Sequence, residues 1–310
     1  MESRYCMEQA GETTLAKTSN EGLKGIAWML LSVLLFSAMH TMIKDVAKDI
    51  HPFEIAFFRN LFGFVVLAPI FMKQGLAPLR TKRLGLLTWR AIFNSTAMAM
   101  YFLSISLIPL ADATALSFTA PIFVTLLAIP ILGERIGLNR GFAIVCAFGG
   151  AMVILRPGFQ EIEIGTVLVL VSALFWASAI LVIKILSRTE SSVTVTAYMG
   201  LLMTPISLIP ALFVWSWPSW ETLGMLAIMG LLGTIAQYAM TEALRFGETH
   251  VIMPMDYTRL LWMAIAGWLV FQEVPTVYTW IGGLMIAGSA SYIAWRESRK
   301  GRPINQPAKT

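Results

Sequence analysis

The chain is 310 residues long, 57% apolar and 13% charged, with a formal net charge of +5, where soluble domains run at roughly 45–50% apolar and about 25% charged. This composition excludes a water-soluble enzyme, because too little polar material remains to cover a core. Two cysteines, Cys6 and Cys146, exclude a disulfide framework and a thiolate metal site.

Residues 1–22 form a polar tail without the apolar stretch of a secretory signal. Within it, the run from Gly11 to Thr18 comes close to a nucleotide-binding P-loop. Ala16 replaces its second glycine, however, and no strand precedes it, so ATP binding is not expected. Ten apolar stretches follow, near 24–43, 53–72, 83–107, 111–132, 140–155, 163–186, 193–215, 222–243, 250–271 and 277–295. A membrane crossing takes about 20 such residues, and the fifth stretch is short. Residues 298–310 form a basic tail. The fold class expected is an all-α integral membrane protein of ten spans.

Charge orients those spans. With both termini on one side, that side collects 18 of the Lys and Arg residues, the other only Lys44, Lys48 and Arg156, while Arg59 and Arg259 fall inside spans. Positive charge is retained in the cytoplasm, so both termini are expected there. The net charge is then topological, and no nucleic-acid partner is implied.

The chain also repeats itself. Gly25, Ser32 and Lys44 recur as Gly165, Ser172 and Lys184 at a spacing of 140, and Gly133-Glu134 recurs as Gln272-Glu273 at 139. Residues 23–157 and 163–297 are the two copies expected. Five spans per copy is an odd number, which inserts the second copy upside down, as in alternating-access carriers.

The runs ADATALSFTAPIFVTLLAIPILGERI (111–136) and HVIMPMDYTRLLWMAIAGWLVFQEVP (250–275), set in this repeat, resemble the drug/metabolite transporter superfamily, EamA type. The resemblance implies an inner-membrane secondary carrier with a central cavity lined mainly by spans 1, 3, 4, 6, 8 and 9. It also implies a small-molecule cargo such as an amino acid, S-adenosylmethionine or riboflavin, and no cofactor. No metal-ligand spacing or nucleophile motif supports an intramembrane enzyme; a passive channel through the same polar residues is the other alternative.

Ionisable groups within a span cost about 2.5–3.5 kcal/mol on insertion scales, so they face a cavity or each other. Arg259 lies near mid-span with Asp256 one helical turn earlier, and Pro254 should loosen the helix beside them. The pair either binds cargo or only neutralises itself. At a spacing of 139, Asp256, Tyr257 and Arg259 match Ser117, Phe118 and Ala120, so the charges belong to one half alone. Helical spacing adds polar stripes: Ser37, His40, Thr41 and Lys44; Asn94, Met98 and Tyr101; Ser172, Trp176 and Lys184; Thr234, Gln237, Tyr238 and Thr241. The substrate-binding set expected is Asp256, Tyr257, Arg259, Asn94, Tyr101, Trp176, Gln237, Tyr238 and Ser117, with His40 and Asp256 as candidates for proton coupling. Such polar groups also serve as interhelical glue. Arg59 is expected to be structural, paired with Glu54 or directed outward. Glu134 and Glu273 read as helix caps. Small residues every fourth position, Ala143, Ala147 and Ala151 and then Gly283, Ala287 and Ser291, indicate close helix packing or a homodimer contact.

Overall fold

The structure, a computed structural model, describes residues 2–74, 81–132, 138–156, 163–186, 190, 192–246 and 249–299. Glu134 and the side chains of Lys184 and His250 lie outside the described residues. Among those described there is no strand, and twelve helices follow in order. These are α1 (Glu2–Val46), α2 (Pro52–Gln74), α3 (Leu84–Leu107), α4 (Leu110–Ser117), α5 (Ala120–Leu132) and α6 (Leu138–Leu155), then α7 (Ile164–Leu186), α8 (Ser192–Leu212), α9 (Trp220–Phe246), α10 (Thr249–Asp256), α11 (Arg259–Phe271) and α12 (Val277–Arg299). Helices alone satisfy every backbone group within one segment, as hydrocarbon requires.

Four segments among the described residues are long and apolar enough to cross a membrane: Leu23–Val46, Leu110–Ile131, Ile164–Ile183 and Trp220–Leu244. At about 1.5 Å per residue, the 45 residues of α1 exceed twice the hydrocarbon thickness of about 30 Å. Its polar first half therefore extends beyond any crossing.

Two segments are interrupted at their middle. Phe118 and Thr119 separate α4 from α5, and Tyr257 and Thr258 separate α10 from α11. Both breaks fall at the same place in the repeat, 139 residues apart. At the second break the Tyr257 and Thr258 amides reach back only three residues, to the Pro254 and Met255 carbonyls (3.2 and 3.1 Å), and Pro254 in the last turn of α10 supplies no N–H of its own. The first break is followed by Pro121 in the opening turn of α5, where a proline costs no hydrogen bond.

Packing crosses between the halves. The helices α1 and α9 lie together, as do α3 and α7, and α6 and α12. Ser32 on α1 donates to the Ala236 carbonyl on α9 (2.8 Å), and Ser172 on α7 donates to the Ala97 carbonyl on α3 (2.7 Å). Donors and acceptors are thus exchanged between equivalent positions of the two copies. Close approach of α6 to α12 needs glycine: a methyl on Gly150 would stand 2.7 Å from the Gly282 carbonyl oxygen. Ala143, Ala147 and Ala151 are buried within the single chain, so of the two roles open to that stripe, packing is the one in use.

Candidate functional site

The break between α10 and α11 places Asp256 at one helix end and Arg259 at the start of the next. This arrangement runs against the helix dipoles, which favour cations at C-termini and acids at N-termini. The two residues hold each other instead, Arg259 Nη2 donating to Asp256 Oδ2 at 3.1 Å, both partly exposed. The Arg259 guanidinium also lies over the Phe118 ring, 5.5 Å from its centroid, while its Nε is buried without a partner. Phe118 belongs to the other break. Its ring meets the edge of Tyr257 with centroids 4.8 Å apart and planes at 88°.

His40 and Tyr101 complete a ring of side chains around this point. The two rings are 5.2 Å apart, Phe36 and Phe102 enclose the histidine, and His40 Nδ1 is buried with no partner. The Tyr101 hydroxyl lies 3.5 Å from Thr114 Oγ1 on α4, one turn before Ser117 and Phe118. Ser117 itself donates to the Thr114 carbonyl (2.7 Å). His40, Tyr101, Ser117, Asp256, Tyr257 and Arg259 are therefore brought together by α1, α3 and the two broken segments.

The remaining expected residues are placed otherwise. Asn94 is buried on α3, its amide donating to Met203 Sδ on α8 (3.1 Å). Trp176 and Tyr238 are 43% and 59% exposed, and Gln237 is exposed beside Tyr238; the Tyr238 ring meets the edge of Trp28. None of the three reaches the cluster through a described contact.

Arg59 departs from expectation. Glu54 is fully buried and accepts from Ser216 (3.1 Å) instead of pairing with it. The arginine turns inward, Nη1 donating to Asn60 Oδ1 (3.2 Å) and reaching Met98 Sδ (3.5 Å). Space for it comes from Gly233 on α9, where a methyl would stand 2.8 Å from Nη2. Depth along α2 suggested the interface, but the missing side chain on the facing helix opens an inward course. That glycine, on an otherwise apolar helix face, was the available signal.

One end of the bundle is tied shut. Gln272 adopts a left-handed conformation (φ 58°), which turns the Glu273 amide onto the Gly267 carbonyl (3.0 Å). The Glu273 carboxylate then forms an ion pair with Lys44 and accepts the Leu110 amide (3.0 Å), capping α4. Lys44 Nζ also donates to the Ile108 carbonyl (2.7 Å), and Thr279 donates to Asp112 alongside. Glu273 thus acts as the helix cap expected of it. A small cavity of about 190 Å³ bordered by Ile108, Asp112 and Arg156 lies at this same end, away from the central cluster.

The EamA-like transporter family matches residues 23–156 and again 163–295. The chain is 30% identical to a riboflavin transporter of Rhizobium johnstonii, over 96% of this chain and 99% of the relative. It is 28% identical to an S-adenosylmethionine uptake transporter of Rickettsia prowazekii (89% and 94% covered) and to the pseudopaline exporter CntI of Pseudomonas aeruginosa (89% and 97%). A solved protein structure superimposes with a TM-score of 0.58 over 93% of this chain and 99% of its own, at 15% identity, a likeness of fold alone.

Proposed function

Because the chain belongs to the EamA-like transporter family, and is thereby a multi-pass membrane protein that moves a small molecule, we propose that it is a secondary active carrier working by alternating access. In this reading ten spans form two inverted repeats in the inner membrane, with residues 23–157 and 163–297 as the halves and both termini cytoplasmic. The cargo, a small polar or amphipathic metabolite, binds at mid-membrane among His40, Tyr101, Ser117, Asp256, Tyr257 and Arg259.

The observation that carries this reading is the meeting of the two broken helices at Phe118 and Tyr257. Interrupted spans place helix ends at depth, and transporters use such breaks to hold cargo between their repeats. The Lys44–Glu273 tie supports the same mechanism. It joins α1 to the end of α11 and, through Leu110, to the start of α4, a contact that must open when this face admits cargo.

Proteoliposomes given an ion gradient or internal counter-substrate, but no ATP, should show saturable uptake. The compounds named for the relatives, riboflavin and S-adenosylmethionine, come first in that assay. Flux that requires ATP, or that never saturates, would refute the carrier reading. Arg259→Gln in the same vesicles tests the site, since it should abolish flux while the protein remains folded.

A further inference from the structure

Arg59 is a cation for which the described residues supply no carboxylate. Its guanidinium is bordered by Asn60, the sulfurs of Met98 and Met39, and the bare backbone of Gly233, and its buried Nε has no partner. Glu54 accepts from Ser216 on one oxygen and does not reach Arg59 with the other, and Asp256 pairs with Arg259. Among the described residues Arg259 thus has a carboxylate partner and Arg59 has none. Tyr101, which meets His40, lies one turn beyond Met98 on the same face of α3.

Guanidinium keeps its proton in proteins, so the Arg59 charge is permanent. A buried ion without its partner is strongly destabilising, and midplane charges in membrane proteins mark ligand pathways. The start of α11 adds the positive end of its helix dipole. The walls around this charge are aromatic: His40, Tyr101, Phe118 and Tyr257.

We propose that Arg59 is a second anion-binding residue of the cargo site and that the cargo is an organic anion. A carboxylate or phosphate group is held by Arg59 and Arg259, while a planar or apolar body lies against His40, Tyr101, Phe118 and Tyr257. This inference rests on the central cluster being the cargo site and goes beyond it by fixing the sign of the cargo's charge.

The test uses the full chain in lipid nanodiscs and paired probes that differ in charge: nicotinate against nicotinamide, and riboflavin 5′-phosphate against riboflavin. Binding is read by thermal stabilisation. In the wild type the anionic member of at least one pair should bind about ten- to a hundredfold more tightly than its neutral partner, the range expected for hydrogen bonds to charged groups. Arg59→Gln should erase that preference, and Arg59→Lys should restore only part of it, because an ammonium lacks the planar fork. Without ligand, Arg59→Gln and Arg59→Met should melt at or above the wild-type temperature, since each removes an uncompensated charge.

Neutral members binding as well as or better than anionic ones, or no response to any anionic probe, would overturn the proposal. So would an anion preference that survives Arg59→Gln, or a lower melting temperature in both neutral variants. If Arg259→Gln loses probe binding and Arg59→Gln keeps it, only the role of Arg59 fails. If neither variant changes binding, the cargo site itself lies elsewhere.

Discussion

Phe118 and Tyr257, equivalent residues of the two halves, touch edge to face with their ring centroids 4.8 Å apart. Each occupies the gap in its own broken helix, so the contact joins the two interruptions where the charged groups gather. Phe118 is buried and also lies beneath Arg259. Phe118→Ala should destabilise the protein by about 3–5 kcal/mol and weaken cargo binding. Tyr257→Phe, which keeps the ring, should leave thermal stability close to wild type, and an equal loss from both would show that the hydroxyl matters more than the contact.

The Asp256–Arg259 pair separates binding from self-neutralisation. If the pair is only structural, either single neutralisation should cost about 3–5 kcal/mol by stranding a charge, and Asp256→Asn with Arg259→Gln together should recover both stability and flux. If Arg259 grips cargo, the double variant stays stable and transports nothing. A double-mutant cycle scored in melting temperature and in uptake distinguishes the two.

Lys44 and Glu273 tie α1 to the end of α11. Lys44→Met or Glu273→Gln should loosen that end and raise its access to solvent. With Cys6 and Cys146 first replaced by serine, a cysteine at Ser117 should react faster with an impermeant thiol reagent in the neutralised variants than in their parent. Unchanged labelling would mean that the tie is a cap and not a gate. Joining positions 44 and 273 through paired cysteines and a short bifunctional reagent should stop flux, and its removal should restore it.

Gln272 holds a left-handed conformation, φ 58°, that an L-residue adopts at a cost of roughly 1–2 kcal/mol. The matching residue of the first half is Gly133. Gln272→Gly should therefore stabilise the protein by about 1 kcal/mol, measured as a rise in melting temperature. A fall would show that the glutamine side chain makes a compensating contact.

Much of this architecture was legible in the residues. Apolar runs located the helices, Pro254 marked one break, and a three-residue separation paired Asp256 with Arg259. Glu273 was recognisable as a cap from its place in a turn. Other features depend on which side of a helix looks inward, and spacing alone gives a face without its direction. Trp176, Gln237 and Tyr238 share helical faces with polar neighbours, and in the structure they are exposed without a described contact to the central cluster. Arg59 was misread for a different reason. Its inward course depends on Gly233, distant in sequence, leaving room on a neighbouring helix.

The exchanged bonds of Ser32 and Ser172 have a consequence for assembly. The most extensive helix pairings, α1 with α9, α3 with α7 and α6 with α12, each join one half to the other, so each half is expected to need the other to fold. Residues 1–159 and 160–310, translated as separate polypeptides in one cell, should therefore accumulate together and be degraded when either is made alone.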